Sequence, residues 1–256
     1  MSDHPKPSER ARELVRGAYD VHVHVAPDVV ERITDDLSLA PRFAEAGLGG
    51  FVLKSHYFPT AGRAAMVRRA VPGVGVVGAI TLNGSVGGMN PLAVELAARA
   101  GARFVWLPTV DSANQRACTA SAPEGARPPM WARLQEELRA EGMAADPVDV
   151  VDAAGRVTEP TRQVLRVIAK YDMTLATGHL GADEIAAVVD AAVAAGVRRI
   201  VVTHPEFTSQ RVAADRQREL AAKGALMERC FTTPYTGKDA LSSHLRRGKF
   251  HPGTQF

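Results

Sequence analysis

Short apolar, β-branched runs recur along the chain, each followed by a stretch with helical spacing, and this alternation predicts parallel βα units. The runs cover residues 18–25, 50–53, 74–82, 103–107, 173–177, 199–203 and 225–229. They predict seven strands. Ala-Gly or Lys-Gly closes a helical stretch before a strand at Ala46-Gly47, Ala100-Gly101, Ala195-Gly196 and Lys223-Gly224, where glycine can end a helix and turn the chain. Thr158-Glu159-Pro160 reads as a helix start, with a capping side chain and a first-turn proline, and Val164, Leu165 and Ile168 form its apolar stripe. A second helix is expected over residues 181–195, with Ile185, Val188, Val189 and Val193 on one side.

The 256 residues fit the length of one (β/α)8 barrel. We therefore expect a single α/β domain over residues 1–256, a TIM-type barrel that is incomplete because no eighth apolar run is evident. One connection, about residues 110–157, is too long for a simple turn. It holds a short helical pattern around residues 131–138 and a hairpin over 148–157 that turns at Asp152-Ala153-Ala154-Gly155. It reads equally as a lid or as a surface excursion. The tail, about 232–256, is irregular. An open barrel edge exposes unpaired backbone groups, so a cover is expected there, a second subunit being one candidate.

Composition narrows the class. The chain is 46% hydrophobic and 23% charged, which describes a globular protein. The net charge is +3 but basic residues are scattered, and aromatic content is 5%, so nucleic-acid binding is not expected. Two cysteines, Cys118 and Cys230, make no disulfide framework and lie in no Cys-x-x-Cys motif. The N-terminal residues lack the apolar core of a signal peptide, and no run reaches membrane-spanning length. A cytoplasmic protein is expected, with a small-molecule substrate and no membrane partner.

Five of the eight histidines, His22, His24, His56, His179 and His204, lie at or just past a predicted strand end. In a repeated βα fold these ends converge on one rim, the place from which barrel enzymes draw their catalytic groups. Alternation along Asp20-Val21-His22-Val23-His24 places Asp20, His22 and His24 on one face, and His-x-His on a strand offers two imidazoles to one ion. Lys54 and His56 share a side of the second run. Lys54 could bind an anionic substrate or, if carbamylated, ligate metal, and His56 could ligate or move protons. Among the acids, Asp111 follows the fourth run, Glu206 follows His204 and Glu228 lies in the seventh run; each is a candidate base or a partner that orients a histidine.

With these residues in hand, the chain resembles the amidohydrolase superfamily of metal-dependent barrel hydrolases over roughly residues 20–231. The likeness rests on His22-Val23-His24 and on His179 and His204 after the fifth and sixth runs. It implies a (β/α)8 barrel, metal ligation by His22, His24, His179 and His204, and a divalent ion, zinc first, with manganese or iron as alternatives. It also implies hydrolysis of an amide, ester or lactone by metal-activated water. His56, Lys54, Asp111 and Glu228 are the catalytic candidates. Two features depart from the family pattern: Pro108-Thr109-Val110-Asp111 stands where a carboxylated lysine or a glutamate often follows the fourth strand, and no eighth-strand aspartate is visible. A catalytically impaired metal- or ligand-binding barrel, a decarboxylase and a phosphoesterase are the alternative readings.

Overall fold

The computed structural model describes residues 7–122 and 128–232. Seven strands form one sheet in sequential order, with every neighbouring pair parallel. They are β1 (Tyr19–Val23), β2 (Gly50–Leu53), β3 (Gly75–Thr81), β4 (Ala102–Trp106), β5 (Thr174–Ala176), β6 (Arg199–Val202) and β7 (Ala225–Met227). Every predicted run contributes its strand. The helices are α1 (Glu9–Leu14), α2 (Asp36–Glu45), α3 (Ala61–Ala70), α4 (Pro91–Arg99), α5 (Ala113–Ala120), α6 (Met130–Ala140), α7 (Glu159–Lys170), α8 (Ala182–Ala194) and α9 (Ala214–Ala222). Thr158 caps α7, its side chain accepting from the Thr161 amide. Within the long connection the structure adds α5, forms α6 over the helical pattern expected around residues 131–138, and turns at residues 152–155 in a short antiparallel pair bridged at Val151 and Val157.

Strand alternation sorts the apolar side chains into an inner and an outer layer. Inside, Val52, Ala79, Phe104, Trp106, Ala176 and Val201 form a tight cluster. Outside, Ile80, Val105, Leu175, Ile200 and Val202 meet Val94 of α4, Val164, Leu165 and Ile168 of α7, and Ile185, Val188 and Val189 of α8. A neighbouring outer cluster joins Phe51 and Leu53 to Phe43 of α2 and Val67 of α3. Gly78 lies where α3 crosses β3, and a Cβ there would stand 2.4 Å from the Ala61 Cα. The close approach of helix and strand requires glycine at this point.

This is an incomplete TIM-like barrel: an all-parallel, sequentially ordered sheet with an inner core, and seven strands rather than eight among the described residues. The residues expected to form the irregular tail lie, from 233 on, outside the described residues. The two sheet edges nevertheless approach each other, because His22 on β1 contacts Glu228 and Cys230 just after β7. β1 also departs from strict alternation. Its register with β2 shifts between Asp20 and Val23, a bulge of one residue. Val21 packs on the inner cluster, the His22 ring lies 5.6 Å from that of Trp106, and Val23 and Val25 turn to the outer cluster. The bulge thus turns both Val21 and His22 inward, which simple alternation from Asp20 does not anticipate.

On the outside, Glu95 of α4 accepts hydrogen bonds from the Tyr171 hydroxyl at 2.6 Å, Arg99 at 2.9 Å and Lys170 at 3.1 Å, clamping α4 to α7. These bonds, Tyr171 and Arg99 foremost, pull its carboxyl from the usual 4.5 to about 2. A carboxyl depressed in the folded state adds stability above its unfolded value, and that stability disappears as pH falls through the folded value. Glu95→Gln is therefore expected to lower the urea midpoint at neutral pH, and its deficit relative to the parent should shrink as pH drops from 4.5 toward 2; a deficit independent of pH would contradict the clamp. Gly78→Ala should destabilise by about 1–3 kcal/mol through overpacking against α3, read as a lower midpoint with an unchanged denaturant slope.

Candidate metal centre at the strand C-termini

The five strand-end histidines meet in a closed ring. Neighbouring ring centroids are separated by 5.2 Å for His22 and His24, 4.7 Å for His24 and His56, 6.1 Å for His56 and His179, 4.9 Å for His179 and His204, and 5.7 Å for His204 and His22. Lys54 is 2% exposed. Its Nζ lies 3.0 Å from His22 Nε2 and 4.8 Å from the centroid of the Trp106 ring. Trp106, fully buried, forms the floor beneath the ring and belongs to the inner core.

Local devices aim each imidazole. Arg63 of α3 donates to the carbonyls of Ala26 and Pro27 at 2.9 and 2.8 Å and pairs with Asp36, fixing the chain just after His24. Arg32, paired with Asp28, reaches His24 Nδ1 at 3.5 Å. Two threonine hydroxyls tie these strand ends together: Thr177 Oγ1 accepts from the Thr203 amide at 3.0 Å, and Thr203 Oγ1 from the Gly178 amide at 3.1 Å. This pair pins the ends of β5 and β6 immediately before His179 and His204. Gly178 has φ +64° and its Cβ position lies 2.4 Å from the Leu107 carbonyl oxygen, so only glycine turns the chain into His179 here. His204 itself has φ 24°. A non-glycine residue held in that region stores strain of a kind found at functional sites.

His56 is oriented by a buried polar chain. Asn83 Oδ1 accepts from the amides of Thr109 and Asp111, which fixes its side-chain orientation, while its Nδ2 donates to Thr109 Oγ1 at 2.8 Å. Thr109 Oγ1 lies 2.8 Å from His56 Nδ1. The threonine accepts from Asn83, and donation of its own proton to Nδ1 assigns the imidazole proton to Nε2. Asp111 turns to other partners: the Gly84 amide at 2.9 Å, and Arg116 and Gln135, both at 2.7 Å. It joins α5 and α6 of the long connection to the rim loop. Glu206 pairs with Arg229 at 2.8 Å.

Glu228 stands at the other side of His22, in contact with its Nδ1. Cys230 Sγ is 3.3 Å from Glu228 Oε1 and 3.8 Å from His22 Nδ1. His22, Glu228 and Cys230 bring one donor atom each within 4.8 Å of one another, the only group of three among the described residues able to hold a metal on that criterion. The four histidines expected as ligands share the mouth, but their nitrogens are spread around it rather than gathered so tightly. No sequence pattern marks Cys230, Asn83, Thr109 or Trp106 as a site residue, although Cys230 follows Glu228 by two residues at a strand end, a spacing that points both side chains the same way.

Burial controls the electrostatics. It pushes His22, His24, His56 and His179 well below the usual imidazole range, with Lys54 and neighbouring imidazoles adding to the effect. His204 falls to about 3, again through burial. Lys54 drops to about 8 through burial, against the pull of Glu228. Burial raises Glu228, opposed by His204 and Lys54. The imidazoles are thereby held neutral, the form that binds metal. His179 Nδ1, His204 Nδ1 and Glu228 Oε2 are buried without a hydrogen-bond partner. Such atoms are uncommon in folded proteins and call for a partner such as a water, an ion or a ligand.

A sequence-family model described as "Family of unknown function (DUF6282)" matches residues 17–228. The matched span contains all seven strands, the five ring histidines, Lys54 and Glu228, and stops two residues before Cys230. No curated protein matches the chain by sequence. Among solved structures, the crystal structure of A. niger ochratoxinase is similar at 13% identity and a TM-score of 0.44, over 92% of this chain and 57% of that one. The chain thus spans little more than half the length of that protein. Because the family model covers most of the chain, from Gly17 before β1 to Glu228 after β7, the protein belongs to the DUF6282 family.

Proposed function

We propose that the protein is a metal-dependent hydrolase of amidohydrolase type, acting on a small-molecule amide, ester or lactone. The observation that carries this reading is the closed ring of five imidazoles at the strand C-termini, held neutral by burial, with the Nδ1 atoms of His179 and His204 making no hydrogen bond to another residue. In this reading His22, His24, His179 and His204 hold a divalent ion, zinc first and manganese or iron as alternatives. Nitrogen-rich sites suit these ions rather than magnesium or calcium. An ion held there would supply Lewis-acid chemistry, making water acidic enough to serve as a nucleophile near pH ~7 and polarising a carbonyl.

The remaining groups divide the other tasks. Glu228, whose carboxyl burial makes more basic, accepts the proton of the attacking water and delivers it to the leaving group. His56 presents an Nε2–H donor, fixed by Thr109 and Asn83, to a substrate oxygen. Lys54, which burial lowers to about 8, lies over the Trp106 floor, placed to bind substrate or to shuttle protons. Asp111 holds α5 and α6 against the rim, so the long connection shapes substrate entry.

Protein purified without chelator is expected to carry at least one zinc, manganese or iron per chain by elemental mass spectrometry, and the His22→Ala/His24→Ala double variant to lose it. At a hundredfold excess over its Kd, the ion should stabilise the chelated protein by about 2.7 kcal/mol. A panel of small amides, esters and lactones should include a substrate whose turnover disappears on chelation and returns with metal. Glu228→Gln should lower kcat by about 10²–10⁴-fold. Failure of the metal-loaded protein to hydrolyse any member of the panel would count against the hydrolase.

A further inference from the structure

The ring of histidines is not the most tightly gathered donor set in the molecule. We propose that His22 Nδ1, Glu228 and Cys230 form a thiolate-bearing metal corner, with Cys230 as a ligand, that takes a borderline dication such as zinc. The proposal deepens the metal-dependent reading above, and it names a ligand type that reading does not include.

Spacing supports it first. Two N, O or S ligands bound at ~2.0–2.3 Å with tetrahedral angles stand ~3.3–3.6 Å apart. Cys230 Sγ lies 3.3 Å from Glu228 Oε1 and 3.8 Å from His22 Nδ1, which brackets that value. The His22 and Glu228 atoms touch more closely, so an ion entering the corner parts them. The second support is an unpartnered group. The Glu228 side chain is 6% exposed, and its buried Oε2 makes no hydrogen bond to another side chain. A buried carboxylate beside a buried thiol is unfavourable on its own and is offset by a cation.

Charge balance follows. Neutral His22, one carboxylate and one thiolate bring two negative charges to a dication, leaving the buried corner neutral. On binding, the sulfur–metal bond forms, and the thiol proton, with that of Glu228 where it is held, leaves to solvent. Thiolate selects zinc or cobalt over magnesium and calcium. The corner is also braced from behind: Arg229 pairs with Glu206 at 2.8 Å and donates to Gln217 at 3.0 Å, while the Glu228 amide donates to the Val202 carbonyl at 3.0 Å. Side chains two residues apart at this strand end therefore face His22 together. His22 is shared, its Nδ1 in the corner and its Nε2 toward Lys54 and the imidazole ring.

Cobalt(II) substitution of the chelated full-length protein tests the assignment. A thiolate-to-cobalt charge-transfer band in the near ultraviolet is expected in the parent, absent in Cys230→Ser and retained in His179→Ala/His204→Ala. In the unmutated protein, zinc should slow iodoacetamide alkylation of Cys230 at least tenfold relative to Cys118, read by peptide mass spectrometry, and magnesium should not. Bound cobalt without the band, a band that survives Cys230→Ser, its loss in the His179/His204 variant, or alkylation of Cys230 unaffected by zinc would each overturn the corner. These readouts do not depend on turnover, so a protein that shows the band and hydrolyses nothing would keep the corner and lose the hydrolase.

Discussion

The contact between His22 on β1 and Glu228 after β7 is the interaction on which the rest of the structure turns. Seven parallel strands in sequential order leave two edges, and among the described residues no backbone ladder joins them. Side chains make the junction instead. Because the first and last strand ends are drawn together, imidazoles from β1, β2, β5 and β6 close into one ring over the Trp106 floor.

That arrangement is unfavourable for stability considered alone. A lysine, a glutamate and three imidazoles are buried and two more partly so, and burial moves every one of them toward its neutral form. The surrounding apolar layers offset this. Leu165, Ile168, Leu175, Ile185 and Val188 are essentially inaccessible, and each such side chain contributes about 1.5–3 kcal/mol. The outer clusters hold the sheet rigid, and the rigid strand ends present polar groups that a looser scaffold would let retreat to solvent. The strained His204 backbone and the orphaned nitrogens of His179 and His204 are tolerated on the same account.

The site also shows a division between groups that touch the mouth and groups that aim them. Thr177 with Thr203, Asn83 with Thr109, and Arg63 with Asp36 are all placed by ordinary hydrogen bonds from neighbouring strand ends or helices. Each fixes a histidine-bearing segment without entering the ring itself. Asp111 belongs with them, because its oxygens are taken by Gly84, Arg116 and Gln135.

The sequence by itself determined the seven strands, the helices that coat them and the rim position of five histidines, because hydrophobic period and glycine punctuation are local properties of the chain. The seventh strand and the capped start of α7 were legible for that reason. The gathering of His22, Glu228 and Cys230 was not, since residues 206 and 208 positions apart meet only when the two sheet edges approach. The bulge in β1 was likewise decided by pairing with β2, which carries one residue fewer across the same span. So was the role of Asp111, whose partners come from the long connection and the rim loop. Local pattern fixes which residues reach the mouth; only the closure of the sheet decides which atoms face each other there.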